Sequence, residues 1–135
     1  MPTNDVRAVA LVADSLRGGW FASELAALGI KLHIEWDVGH VVRVLVDDDP
    51  PHPQILFLDF DPLSALDVLQ LHAIRERGWF GVIIAFGSVT DDLRTSLNVE
   101  RVLPVSTTGA ALRETVTKVG LDRPTGRMRP LRRPR

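Results

Sequence analysis

Short apolar runs alternate with amphipathic stretches along most of the chain. Val9–Val12 is the first run, short and valine-rich, as expected of a strand buried on both faces. It ends at Ala13-Asp14-Ser15. From Leu16 to Leu28 the residues Phe21, Leu25 and Leu28 recur at helical spacing, and Gly29 follows as a stop. Lys31 to Trp36 alternates polar and apolar with period two, the pattern of a strand near a sheet edge. Val38, Val41, Val42 and Leu45 give a second helical face, which ends in Asp47-Asp48-Asp49-Pro50-Pro51. Ile55–Leu58 reads as the most buried strand and runs into Asp59-Phe60-Asp61-Pro62. Ser64 with Asp67 three residues on predicts a capping box. The helix it opens passes through Leu66, Leu69, Ala73 and Ile74 to Gly78. Val82–Phe86 is a fourth strand. Thr90 caps a short helix whose first turn holds Asp91 and Asp92, where the helix dipole favours acids. Val102-Leu103 is a brief fifth strand. Thr108 caps a last helix with Leu112, Val116 and Val119 on one face.

Five strands and five helices in strict alternation predict an α/β domain: a doubly wound, five-stranded parallel sheet with helices on both faces. The flavodoxin-like strand order 2-1-3-4-5 fits best. It puts the ligand site at the carboxyl ends of strands 1 and 3, where the order reverses.

Composition adds limits. The chain of 135 residues has no cysteine, which excludes disulfides, thiolate metal sites and a cysteine nucleophile. The first seven residues lack the apolar core of a secretory signal, and no apolar run is long enough to span a membrane. A cytoplasmic protein is the expectation. The net charge of −1 hides an asymmetry. Residues 1–122 carry 10 basic and 17 acidic side chains, whereas 123–135 carry six arginines and no acid. With Pro124, Pro130 and Pro134 and little apolar bulk, 123–135 is expected to be a disordered tail or linker after a single domain over 1–122. The arginines allow a linker to an output domain, a contact with nucleic acid, or a fold back onto the acidic domain. Without aromatics or a groove-reading element they suggest nucleic acid only weakly.

The switch-point rule selects three acids: Asp14 after strand 1, and Asp59 and Asp61 after strand 3. Carboxylates gathered at one edge need a cation or a basic side chain to balance them. Two carboxylates, a backbone carbonyl and waters suit Mg²⁺. Acids are also common at strand ends simply as solvated turn residues. Both readings stay open on spacing alone.

Over roughly residues 6–120 the sequence resembles the receiver domain of bacterial two-component response regulators, the CheY-like family. Val9-Ala10-Leu11-Val12-Ala13-Asp14-Ser15 looks like that family's first strand, and Pro53-Gln54-Ile55-Leu56-Phe57-Leu58-Asp59 like its third. The resemblance implies that Asp59 stands at the phosphoacceptor position. It also implies that Asp14, Asp59 and the Asp61 carbonyl stand where Mg²⁺ is held. The departures are specific. Ala13 replaces the first strand-1 acid, and Phe86 stands at the hydroxyl position with Ser88 two residues late. In Leu103-Pro104-Val105-Ser106, Val105 takes the place of the lysine, and Val102 replaces the aromatic that couples site to surface. The only lysines are Lys31 and Lys118. Each lost charge-assisted hydrogen bond is worth about 1.5–3 kcal/mol, and about 1.4 kcal/mol is tenfold in rate. The resemblance therefore implies a degenerate "pseudo-receiver" that signals by docking to protein partners. It is expected not to be an enzyme and to need no cofactor beyond a weakly bound Mg²⁺. The competing readings are a weak Asp59 phosphoacceptor and the regulatory domain of a DNA-binding protein.

His33, His40, His52 and His72 are scattered and lack metal-site spacing. Gly18-Gly19 lies inside a helix and not in a phosphate loop, and neither Ser15 nor Ser88 has a nucleophile motif. Trp20 and Trp36 are candidates for an exposed aromatic contact patch. A homodimer through helix 4, strand 5 and helix 5 is conceivable, although the short helix 4 and Pro104 alter that surface.

Overall fold

The computed structural model describes residues 6–119. Residues 123–135, expected to form a disordered tail, and the domain boundary at 122 lie outside the described residues. The elements alternate without exception: β1 (Arg7–Leu11), α1 (Ser15–Ala26), β2 (Lys31–Glu35), α2 (Val38–Val42), β3 (Ile55–Asp59), α3 (Ala65–Glu76), β4 (Val82–Phe86), α4 (Asp91–Leu97), β5 (Arg101–Leu103) and α5 (Gly109–Val119). The strands form one parallel sheet in the order β2-β1-β3-β4-β5, as the alternation predicts.

Side chains along each central strand point alternately to two faces, so the sheet carries two cores. Ala8, Ala10, Ile55, Phe57, Ile84 and Phe86 meet Phe21 and Leu25 of α1 and Leu112 and Val116 of α5. Val9, Leu11, Leu56, Leu58, Ile83 and Ala85 meet Val38 and Val41 of α2, Leu71 and Ile74 of α3 and Leu97 of α4. Every residue of β3 and β4 is buried, which explains their unbroken apolar runs. The edge strand β2 alternates, and the other edge, β5, has only three residues and stops before Pro104.

The polar ends follow their sequence signals. Ser64 and Asp67 make the reciprocal capping box of α3. Thr90 caps α4, and the Thr108 hydroxyl accepts the Ala111 N–H at 3.1 Å. Two elements depart from the pattern. The helical face beginning at Val38 is not one α-helix: α2 ends at Val42 and continues as a π-helical turn, Arg43–Asp47. Val38, Val41 and Leu45 are still buried, so the extra residue per turn is accommodated without losing the apolar contacts.

In α3, Leu66 and Leu69 are 68% and 66% exposed. The helix has apolar residues on two rows, and its Leu71–Ile74 row faces the sheet. Arg75 lies beside that row. Its guanidinium donates to the carbonyls of Leu97 (2.8 Å), Asn98 (2.9 Å), Trp79 (3.1 Å) and Gly81 (2.8 Å). It thereby satisfies the carboxyl end of α4, where Asn98 turns left-handed at φ 57°. Burial pushes its pKa down from the ordinary arginine range to about 10, so it remains charged at neutral pH.

Candidate functional site

At the carboxyl edge of the sheet, between the ends of β1 and β3, lies an open cavity of about 240 Å³. It is lined by Ala13, Asp14, Arg17, Asp59, Asp61, Val105 and neighbouring residues. Asp59 closes β3 and is 5% exposed, the only buried charged or polar residue among those described. Burying a carboxylate is costly unless it is paired and hydrogen-bonded, and Asp59 is both. Its Oδ2 accepts the Ala13 N–H at 3.0 Å. The Arg17 guanidinium donates from Nη2 to Oδ1 at 2.7 Å and from Nε to both carboxylate oxygens at 3.1 Å.

Arg17 reaches this position because of how α1 begins. Asp14 is the N-cap, and its Oδ1 accepts the Arg17 N–H at 2.9 Å. That fixes Arg17 in the first turn and turns its side chain across the strand ends. The guanidinium then lies over three rings, with Cζ 4.8 Å from Trp20, 5.0 Å from Phe21 and 5.2 Å from Phe86. Each distance is within cation–π range. Phe86 also meets Trp20 edge-on at 6.2 Å and Phe21 at 5.3 Å between centroids. Thus the ring at the hydroxyl position helps form the apolar floor on which the arginine rests.

Asp61 faces the other way. Its Oδ1 accepts the Ser88 N–H at 2.7 Å. Gly87 sits beneath the carboxylate with φ 125°, and a Cβ there would come within 2.5 Å of Oδ1. Glycine is thus required twice over, by conformation and by space.

Asp14, Asp59 and Asp61 line one pocket, as the topology rule predicts, but they do not converge. One caps a helix, one is clamped by arginine and one holds a loop. Among the described residues no group of three or more histidine or acidic side chains is placed to hold a metal ion. Each of the three carboxylates is engaged within the chain: Asp14 by the Arg17 N–H, Asp59 by Ala13 and Arg17, and Asp61 by the Ser88 N–H. The cation that balances Asp59 belongs to the chain itself.

Ala13 contributes only its backbone, Val105 is half exposed at the rim, and Ser88 contributes its backbone N–H. Trp20 and Trp36 differ in exposure. Trp20 is half-buried against the first core, and only Trp36, 57% exposed, presents its ring to solvent. Val102 is half-buried on the second core, level with Ala85 of β4. Sequence reasoning missed Arg17. The signal was present: a basic residue three positions after Asp14, with aromatic residues three and four positions further on.

A doubly wound domain with its polar pocket at this edge belongs to a well-populated architecture, and solved structures narrow it. Chemotaxis protein CheY4 of Vibrio cholerae is similar with a TM-score of 0.71 and 10% identity, covering 86% of this chain and 99% of that one. The response regulator TrrA of Thermotoga maritima, solved in complex with Mg²⁺–BeF, has a TM-score of 0.68 and 14% identity over 84% and 97% of the two chains. The receiver domain of a Pseudomonas aeruginosa sensor histidine kinase, with magnesium in its active-site cleft, has a TM-score of 0.63 and 16% identity over 85% and 97%. The fold is that of CheY-like response-regulator receiver domains. The sequence matches no protein-family profile and finds no match among curated proteins. Among the described residues no helix is long and apolar enough to cross a membrane.

Proposed function

We propose that this is a receiver-like signalling domain that acts by docking to a protein partner, without conventional phosphorylation of Asp59. The observation that carries this reading is the clamp of Arg17 on Asp59. A carboxylate that accepts a phosphoryl group must present an oxygen lone pair to phosphorus while a cation shields the incoming charge. Here both Asp59 oxygens accept hydrogen bonds from Arg17, and Oδ2 also accepts from Ala13. A guanidinium is a permanent cation, planar and matched to a carboxylate. Val105 and Phe86 further remove the lysine and hydroxyl that would hold a transferred phosphoryl group in the family this chain resembles.

A second reading, a weak phosphoacceptor, is favoured by one observation: Asp14, Asp59 and Asp61 share one solvent-open pocket. It requires Arg17 to swing away and Mg²⁺ to take its place.

Amide NMR during titration with Mg²⁺, then with Mg²⁺ plus beryllofluoride, separates the two. Under the docking reading the wild-type spectrum stays unchanged at millimolar Mg²⁺ and saturating mimic, while Arg17→Ala gains Mg²⁺-dependent shifts at Ala13, Asp59 and Asp61. Shifts in the wild type that spread to α4 and β5 would overturn that reading in favour of a working switch.

A further inference from the structure

The end of β4 and the loop after it are held at three points, two of them on the β3 side and one on β5. The Phe60 N–H donates to the Phe86 carbonyl at 2.9 Å, and the Gly87 N–H to the Leu103 carbonyl at 3.0 Å. The third point is the only one made by a side chain: Asp61 Oδ1 accepts from Ser88 at 2.7 Å, directly over Gly87. The segment so held is short. Thr90, two residues after Ser88, is the N-cap of α4, so only two residues of backbone separate the Asp61 contact from the cap of α4. The far end of α4 is held independently, by Arg75 on the carbonyls of Leu97 and Asn98. Helix α4 has seven residues and buries only Leu97 among them. A helix with so little apolar anchorage is placed mainly by what grips its ends.

We infer that Asp61 is a built-in latch: its carboxylate takes the Ser88 N–H and thereby sets the position of α4 beside α3. A fixed negative charge on the β3–α3 loop supplies the acceptor for the β4–α4 loop. No external anion is needed to hold that loop in place. The latch is separate from the Arg17–Asp59 clamp, and it stands whether or not Asp59 takes up a phosphoryl group. Asp59 turns its oxygens toward Ala13 and Arg17, Asp61 toward Ser88, and the two carboxylates share no donor.

The test is amide hydrogen exchange and chemical shift in Asp61→Ala and Asp61→Asn, each first shown to be folded by far-UV circular dichroism. In Asp61→Ala the Ser88 amide is expected to exchange about tenfold faster, the effect of losing one hydrogen bond to a charged acceptor. Shift changes are expected to continue through Asp91–Leu97, with Ala13, Arg17 and Asp59 unmoved. Asp61→Asn keeps an acceptor oxygen without the charge and is expected to fall between wild type and Asp61→Ala. An unchanged Ser88 exchange rate in Asp61→Ala overturns the latch. So does a response that leaves Asp91–Leu97 in place, or one centred on Ala13 and Asp59.

Discussion

At Arg17 one side chain meets a buried carboxylate and three aromatic rings, and each depends on the others. Removing either partner of such a pair leaves a charge uncompensated, and that cost exceeds the net worth of the pair. Arg17→Ala is therefore expected to destabilise the domain by about 2 kcal/mol, less than a fully dry pair because the pocket is open to water. The double change Arg17→Met, Asp59→Leu is expected to lie within about 1 kcal/mol of wild type, since it removes both charges and leaves apolar bulk on the rings. Urea denaturation of the two variants checks this; a double variant as unstable as Arg17→Ala would mean that the rings need the guanidinium itself. The individual chemistry at this site was only partly legible in the sequence. Asp14, Asp59 and Asp61 could be placed because strand ends are readable from apolar runs. Arg17 could not, because its role depends on the direction a long side chain takes after its helix has been capped.

Elements were far easier to read than side-chain directions. Strand runs, N-caps and strand order all follow from local patterns that the folded chain keeps. The exceptions occur where a pattern admits two answers. In α3, leucines on two rows left the buried face undetermined until the sheet selected Leu71 and Ile74 over Leu66 and Leu69. After α2, a π-helical turn preserves the burial of Leu45 while breaking the helical count. Arg75 shows why a basic residue on a buried face need not be an error: four carbonyls replace the water it loses. Arg75→Met keeps the length and removes the donors, so it is expected to cost about 3 kcal/mol by leaving the end of α4 without partners. Thermal unfolding measures that loss, and a shift of less than 1 °C would deny the clasp its role. The charge itself opposes folding. The unfolded chain holds the proton more tightly than the folded one, whose pKa is about 10, so the desolvation penalty is full below pH 10 and fades as the pH rises above it.

At the scale of the molecule, one sheet supplies both cores, and neither can come apart while the other stays folded. Trp20 packs on the first core and Trp79 is buried in the second, its indole N–H donating to the Pro53 carbonyl at 2.8 Å. Urea unfolding followed through Trp20 alone, through Trp79 alone and by far-UV circular dichroism is expected to give one midpoint. Separate midpoints would mean that the helices on one face detach first. The borders of the sheet carry a different message. A sheet edge invites a foreign strand only where several backbone groups in a row are free, flat and unguarded. The β5 border offers three residues before Pro104, which has no N–H to give. The β2 border bears Lys31 and the paired side chains of His33 and Glu35. Neither border is a template for an added strand, so the docking proposed for this domain is expected to use the side chains on its helices and at the rim of its pocket.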